Sequence, residues 1–188
     1  MNTHLKNFAL LIIITVVLVS CLPEKQQDPF QIRKQNIGLL TDSTQVKDLK
    51  LAFPNDSIVT SIKGDEFTGQ DNDIVIYSKT GNKLLNLTPG QALDSTATIK
   101  SIHVLSEKFK TDQNISTLST FKDINDNYKI SSINNLINSV VISVNDINAS
   151  FTIDKKELPA NLRFDMTLNI EAIQIPDNAK IKYFMIHW

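Results

Sequence analysis

Cys21 is the one cysteine among 188 residues, and its thiolate is a soft nucleophile able to accept an alkyl group. It follows a run from Phe8 to Val19 that is apolar but for Thr15, and the small Ser20, the surroundings of a processing point. With no partner cysteine an intramolecular disulfide is excluded, so the domain must be held by packing alone. His103 and His187 have no Cys or Glu at zinc-ligand spacing, and His103 reads as a polar position on a half-exposed strand. The acidic stretch from Asp65 to Asp73 offers oxygen ligands to a calcium ion but lacks the twelve-residue EF-hand pattern, which favours a solvated loop. No nucleophile elbow, phosphate loop, His-Glu-x-x-His or Ser-x-x-Lys set is present downstream of Cys21. No catalytic residue, metal ligand or cofactor is therefore assigned.

Lys6 in a short polar start, the apolar run and Ser20 make residues 1–20 a cleaved secretory leader. The run is well short of the ~20 residues a membrane-spanning helix needs. Leu18-Val19-Ser20-Cys21 resembles the lipobox of bacterial lipoproteins. That resemblance implies a diacylglycerol thioether on Cys21, cleavage before it, and a membrane anchor of acyl chains, each gaining about 0.8 kcal/mol per buried methylene. Leu22-Pro23 after the cysteine, where aspartate favours inner-membrane retention in enterobacteria-like sorting, implies the outer membrane, with the periplasmic face preferred. Asp42-Ser43-Thr44, Asp56-Ser57-Ile58 and Asp94-Ser95-Thr96 look like the O-glycosylation acceptor pattern of Bacteroidota. They imply Ser43, Ser57 and Ser95 as glycan positions; the alternative reading is N-caps and turns.

A net charge of −1, with 19 basic and 20 acidic residues, and no basic stripe argue against a nucleic-acid partner. Residues 21–35 are polar and carry Pro23 and Pro29, the composition of a tether. The remainder is long enough to bury a core unaided.

What must position any site is an internal repeat. Asn36-Ile37, Ser43-Thr44, Lys47-Asp48-Leu49 and Phe53 reappear in order as Asn114-Ile115, Ser119-Thr120, Lys122-Asp123-Ile124 and Tyr128. Ile74-Val75-Ile76 is matched to Val140-Val141-Ile142, and Ile99–Val104 to Ile170–Ile175. Hydroxyls ahead of short amphipathic stretches predict helices over Thr44–Phe53 and Thr120–Tyr128. Turn residues predict hairpins between Ile74–Tyr77 and Leu84–Leu87, and between Val140–Val144 and Ser150–Ile153. β-branched density predicts strands at Ile99–Val104, Leu168–Ile175 and Lys180–Trp188. The expected fold is α+β: two similar units, 36–108 and 109–188, each a short helix plus an antiparallel β-sheet of three or more strands.

In topology this resembles tandem helix-plus-sheet proteins of the β-lactamase-inhibitor-protein type and small outer-membrane assembly lipoproteins, although Ser116 stands where their second repeat would have glycine. In texture it looks like envelope lipoproteins of Bacteroidota without an assigned activity. The expected function is a lipid-anchored cell-envelope protein acting as a non-enzymatic binding or assembly module, its partners the membrane and an envelope protein or glycan. The alternatives are an envelope glycan-acting enzyme, which would need two facing carboxylates, and a protein inhibitor.

Overall fold

The computed structural model describes residues 27–63 and 71–188. Cys21, the leader and the Asp65–Gln70 part of the acidic loop lie outside the described residues. The two α-helices among the described residues form where a hydroxyl-rich turn meets an apolar pattern. Thr120 starts α2 (Phe121–Asn127) with a capping box: the Asp123 carboxylate accepts from the Thr120 amide at 2.7 Å and from its hydroxyl at 3.0 Å. In the first half a 3-10 turn, Val46–Asp48, runs into α1 (Leu49–Ala52), and Gln45 supplies no side-chain cap. Each helix ends on the aromatic residue of the repeat, the Phe53 amide donating to Leu49 and that of Tyr128 to Ile124, both at 2.9 Å.

Among the described residues twelve strands follow the chain: β1 (Gln31–Arg33), β2 (Asn36–Ile37), β3 (Leu40–Thr41), β4 (Ser57–Lys63), β5 (Asp71–Tyr77), β6 (Lys83–Pro89), β7 (Ile99–Val104), β8 (Lys110–Thr111), β9 (Ser132–Asn135), β10 (Ser139–Val144), β11 (Ala149–Asp154) and β12 (Ile181–His187). A small sheet has the order β3-β2-β1-β8, and the main sheet, antiparallel throughout, the order β4-β5-β6-β7-β12-β11-β10-β9. Each half is thus a short helix followed by a four-stranded meander, and the meanders meet edge to edge at β7 and β12. The fold is α+β with two similar units, as expected.

Matching hydrogen bonds make the repeat concrete. Val46 donates to the Ala97 carbonyl at 3.0 Å as Phe121 does to Ala179 at 2.8 Å, and Lys47 donates to Ser95 as Lys122 does to Asp177. Isolated bridges join Gln45 to Thr98 and Thr120 to Lys180. The main sheet shifts register between Thr88 and Pro89 in one half and between Thr152 and Ile153 in the other, the same place relative to the partner strand.

One face of the main sheet is buried. Ile74, Ile76, Leu85, Leu87, Ile102 and Val104 from the first half, with Ile142, Val144, Phe151, Phe184 and Ile186 from the second, join Ile32, Leu49, Phe121 and Ile124 in a single core. The two units are halves of one core rather than separable bodies. The other face carries a row of directly opposed residues, Val59, Val75, Asn86, His103, Met185, Ser150, Ser143 and Ser132.

Four expectations need correction. Leu168–Ile175 is not a strand: only Ile170 and Ile175 are buried there, and a 3-10 turn occupies Ala172–Gln174. The counterpart of β7 is β12, Ile181-Lys182 answering Ile99-Lys100 with the first, fourth and sixth positions buried in both strands. Hydrogen-bond equivalence pairs Ile74 and Ile76 with Ile142 and Val144, two residues beyond the sequence match, a shift that period-two alternation hides. Gln31–Arg33, inside the expected tether, is a strand with Ile32 fully buried. The repeat does not need a glycine either: the Ser119 hydroxyl accepts from the Ser116 amide at 3.1 Å, as that of Thr44 accepts from Thr41 at 3.0 Å.

Candidate functional site

The halves differ most where β6 joins β7 and β11 joins β12. The first connection is a short turn in which Asp94 accepts from the Thr96 amide at 2.8 Å and hydroxyl at 2.7 Å. The second is a long excursion from Lys155 to Lys180, pinned at several points. The Asp154 carboxylate accepts from the Lys156 amide at 3.0 Å and pairs with Lys182 of β12 at 3.0 Å, so its pKa is lowered, chiefly by the amide and then by Lys182. The Lys155 amide donates to Asn138 at 3.0 Å. Leu158 and Leu162 bury their side chains, and Arg163 Nε donates to the Leu158 carbonyl at 2.8 Å. Asp165 turns the chain by accepting from the Thr167 hydroxyl and amide at 2.6 and 2.8 Å, which lowers its pKa. Asn135 of the edge strand β9 clamps the excursion, its amide donating to the Asp165 and Leu168 carbonyls at 3.0 and 2.9 Å.

Between this excursion, the β9–β10 turn and β12 lies a cleft of about 830 Å³ lined by Ile137, Asn138, Asp154, Lys155, Lys156, Arg163, Phe164, Met166 and Lys182. Four of these are cationic and one anionic, and the anion is already paired. Lys155 is only 4% exposed and its Nζ has no hydrogen-bond partner, with Asp165 as its electrostatic neighbour. The lip is apolar: Phe164 is 88% exposed, Ile137 69% and Met166 54%. Buried charge beside exposed aromatic and aliphatic surface is what a ligand with an anionic head and an apolar body requires.

A second polar group sits on the open sheet face. Ser150 Oγ lies 2.8 Å from His187 Nε2, and the His103 ring packs edge-on to Tyr183 at 5.3 Å between centroids. Burial lowers the pKa of both histidines. Ser150, the second residue of β11, is buried, where a nucleophile would need an exposed elbow. Among the described residues no group of three or more His, Cys, Asp or Glu is placed to hold a metal ion. No helix among them is long and apolar enough to cross a membrane.

Ser43, Ser57 and Ser95 are all exposed, on separate turns and at the start of the edge strand β4. Ser43 shares a hydroxyl contact of 3.0 Å with Thr41, and Ser95 lies in the Asp94 turn. The structure does not gather them into one site. Nothing in the sequence reading pointed to Lys155, Arg163 or Phe164. The available signals were the Lys155-Lys156 pair and two large apolar residues, Phe164 and Met166, in a polar stretch without strand alternation.

The architecture defines a two-repeat α+β protein whose cleft belongs to an insertion in its second repeat. No family model matches the chain, and no curated protein does. Among solved structures it is similar to the crystal structure of the uncharacterized protein YfeY from Escherichia coli, with a TM-score of 0.57, at 15% identity, over 84% of this chain and 99% of that one. At such identity the likeness is one of fold alone.

Proposed function

We propose that this chain is a lipid-anchored cell-envelope protein that works as a non-enzymatic binding module, tethered through Cys21 and presenting the cleft of its second repeat to an envelope ligand. The observation that carries the reading is the asymmetry of the repeat. A scaffold that closes its first half with a few residues spends a long, hydrogen-bonded excursion in the second to enclose a basic, apolar-lipped cleft, and function is grafted on folds in such places. Sheet faces and clefts of this kind bind without needing a reactive group.

Metabolic labelling with an alkyne-bearing palmitate analogue in a bacterial host, wild type beside Cys21→Ser, tests the anchor. Label on the wild type, with loss of label and of membrane fractionation in the variant, supports the reading. An unlabelled wild type overturns it. In-cell cross-linking with both forms then tests the module, which requires the anchored form to capture an envelope component that the unanchored form does not.

A further inference from the structure

We infer that the cleft beside Lys155 holds the phosphate-bearing head group of an anionic phospholipid, with the acyl chains lying over Phe164, Met166 and Ile137. The inference deepens the binding-module reading by naming the ligand class.

Three observations converge. Lys155, one of the residues lining the cleft, is buried and its Nζ makes no hydrogen bond, and a buried ammonium is stabilised most by a charged acceptor. Arg163 is tied down through Nε alone, which leaves the outer edge of its guanidinium to present a fork to phosphate oxygens. Lys156 adds an exposed cation, whereas Lys182 is held by Asp154. Asp165 takes the Thr167 amide and hydroxyl on Oδ1 and is an electrostatic neighbour of Lys155, but it makes no hydrogen bond to the Lys155 ammonium. Beyond the cations, Ile137, Phe164 and Met166 form an exposed apolar lip with Leu168 at 36% and Leu136 at 48% exposure close by in the chain. A sugar or peptide carboxylate would satisfy the cations but leave that lip in water; a lipid satisfies both parts.

Native mass spectrometry of the full chain released from detergent micelles tests this, with phosphatidylglycerol, phosphatidylcholine and inorganic phosphate as separate probes. The expected result is one retained phosphatidylglycerol per chain, held at least about tenfold more tightly than phosphatidylcholine. Lys155→Met with Arg163→Gln abolishes that preference. Phe164→Ser weakens phosphatidylglycerol about fivefold while leaving phosphate unchanged. Circular dichroism confirms that each variant is folded, and Lys156→Gln, on an exposed side chain, keeps the test open if the double variant does not fold; it is expected to weaken the lipid severalfold. Equal retention of both lipids overturns the head-group assignment. Phosphate binding with Phe164→Ser neutral for the lipid reduces the site to a plain anion site and overturns the lipid class. Retention unaffected in every variant places the lipid elsewhere. Loss of palmitate labelling would sink the anchor reading while leaving this result standing, and intact labelling without lipid retention would sink this inference alone.

Discussion

His103 lies directly opposite Met185 across the β7–β12 seam, and the two residues occupy the same position in their respective repeats. The pair therefore marks the axis about which one meander maps onto the other. At this one position the halves carry a titratable ring and a thioether, packed in the middle of the open face beside Tyr183.

That placement predicts a pH dependence. Burial lowers the pKa of His103 and of His187, so the unfolded chain takes up protons before the folded one does. Stability should be complete above the ordinary histidine range, about pH 6.5, and fall as pH drops through that value towards the lowered folded pKa. Denaturant midpoints measured from pH 8 to 5 should decline, and His103→Gln should flatten the slope. A flat profile in the wild type would show that neither ring is desolvated.

Helix capping should matter in one half only. Thr120→Ala removes the hydroxyl side of the capping box at α2 and should cost about 1 kcal/mol. Gln45→Ala, at a position with no side-chain cap, should change the urea midpoint little. Equal losses would contradict the assigned start of α2.

Gly38 has φ of +55°, and a Cβ there would sit 2.2 Å from the Pro29 carbonyl oxygen. Gly38→Ala should destabilise by more than about 1 kcal/mol, because both the backbone region and the contact refuse a methyl group. A thermal melt of the variant matching wild type would mean that Pro29 does not pack on this turn.

Phe184 is fully buried beside Phe151, with centroids 4.6 Å apart. Phe184→Ala should cost about 3–5 kcal/mol, enough to unfold a domain of ordinary stability. Tyr183→Ala, on the opposite and partly exposed face, should cost far less in the same chemical denaturation experiment.

The Ser150–His187 contact is expected to be structural. A fluorophosphonate probe should not label Ser150, since the residue is buried within the hydrogen-bonded strand β11 rather than presented on an exposed elbow. Labelling that vanishes in Ser150→Ala would reopen the enzymatic alternative.

The elements with strong local logic were legible in advance. Thr120 followed by an amphipathic turn, the Gly81 hairpin at φ +81° and the Asn148 turn at φ +49° declare themselves through capping and left-handed backbone preference. Two features hid for physical reasons. Ile170 to Ile175 has the β-branched content of a strand, but its buried residues are five apart and fit a turn. Ile181-Lys182 repeats Ile99-Lys100, yet the long excursion of the second half displaces it in the chain, so the nearer false match took its place. The cleft was illegible for a related reason: its cations and its lip come from the β9–β10 turn, the excursion and β12, and only long-range pairing brings them together.

The position of β12 also sets the order of events in folding. β4 to β7 form a meander of local pairings that can assemble early, but β7 then presents a bare edge, and the strand that covers it is the last of the twelve. During synthesis the nascent chain must carry that open edge while the whole second half, excursion included, still has to emerge. The interval is a window for strand-mediated aggregation, and a chaperone engaging the unpaired β7 would act in the place β12 later fills.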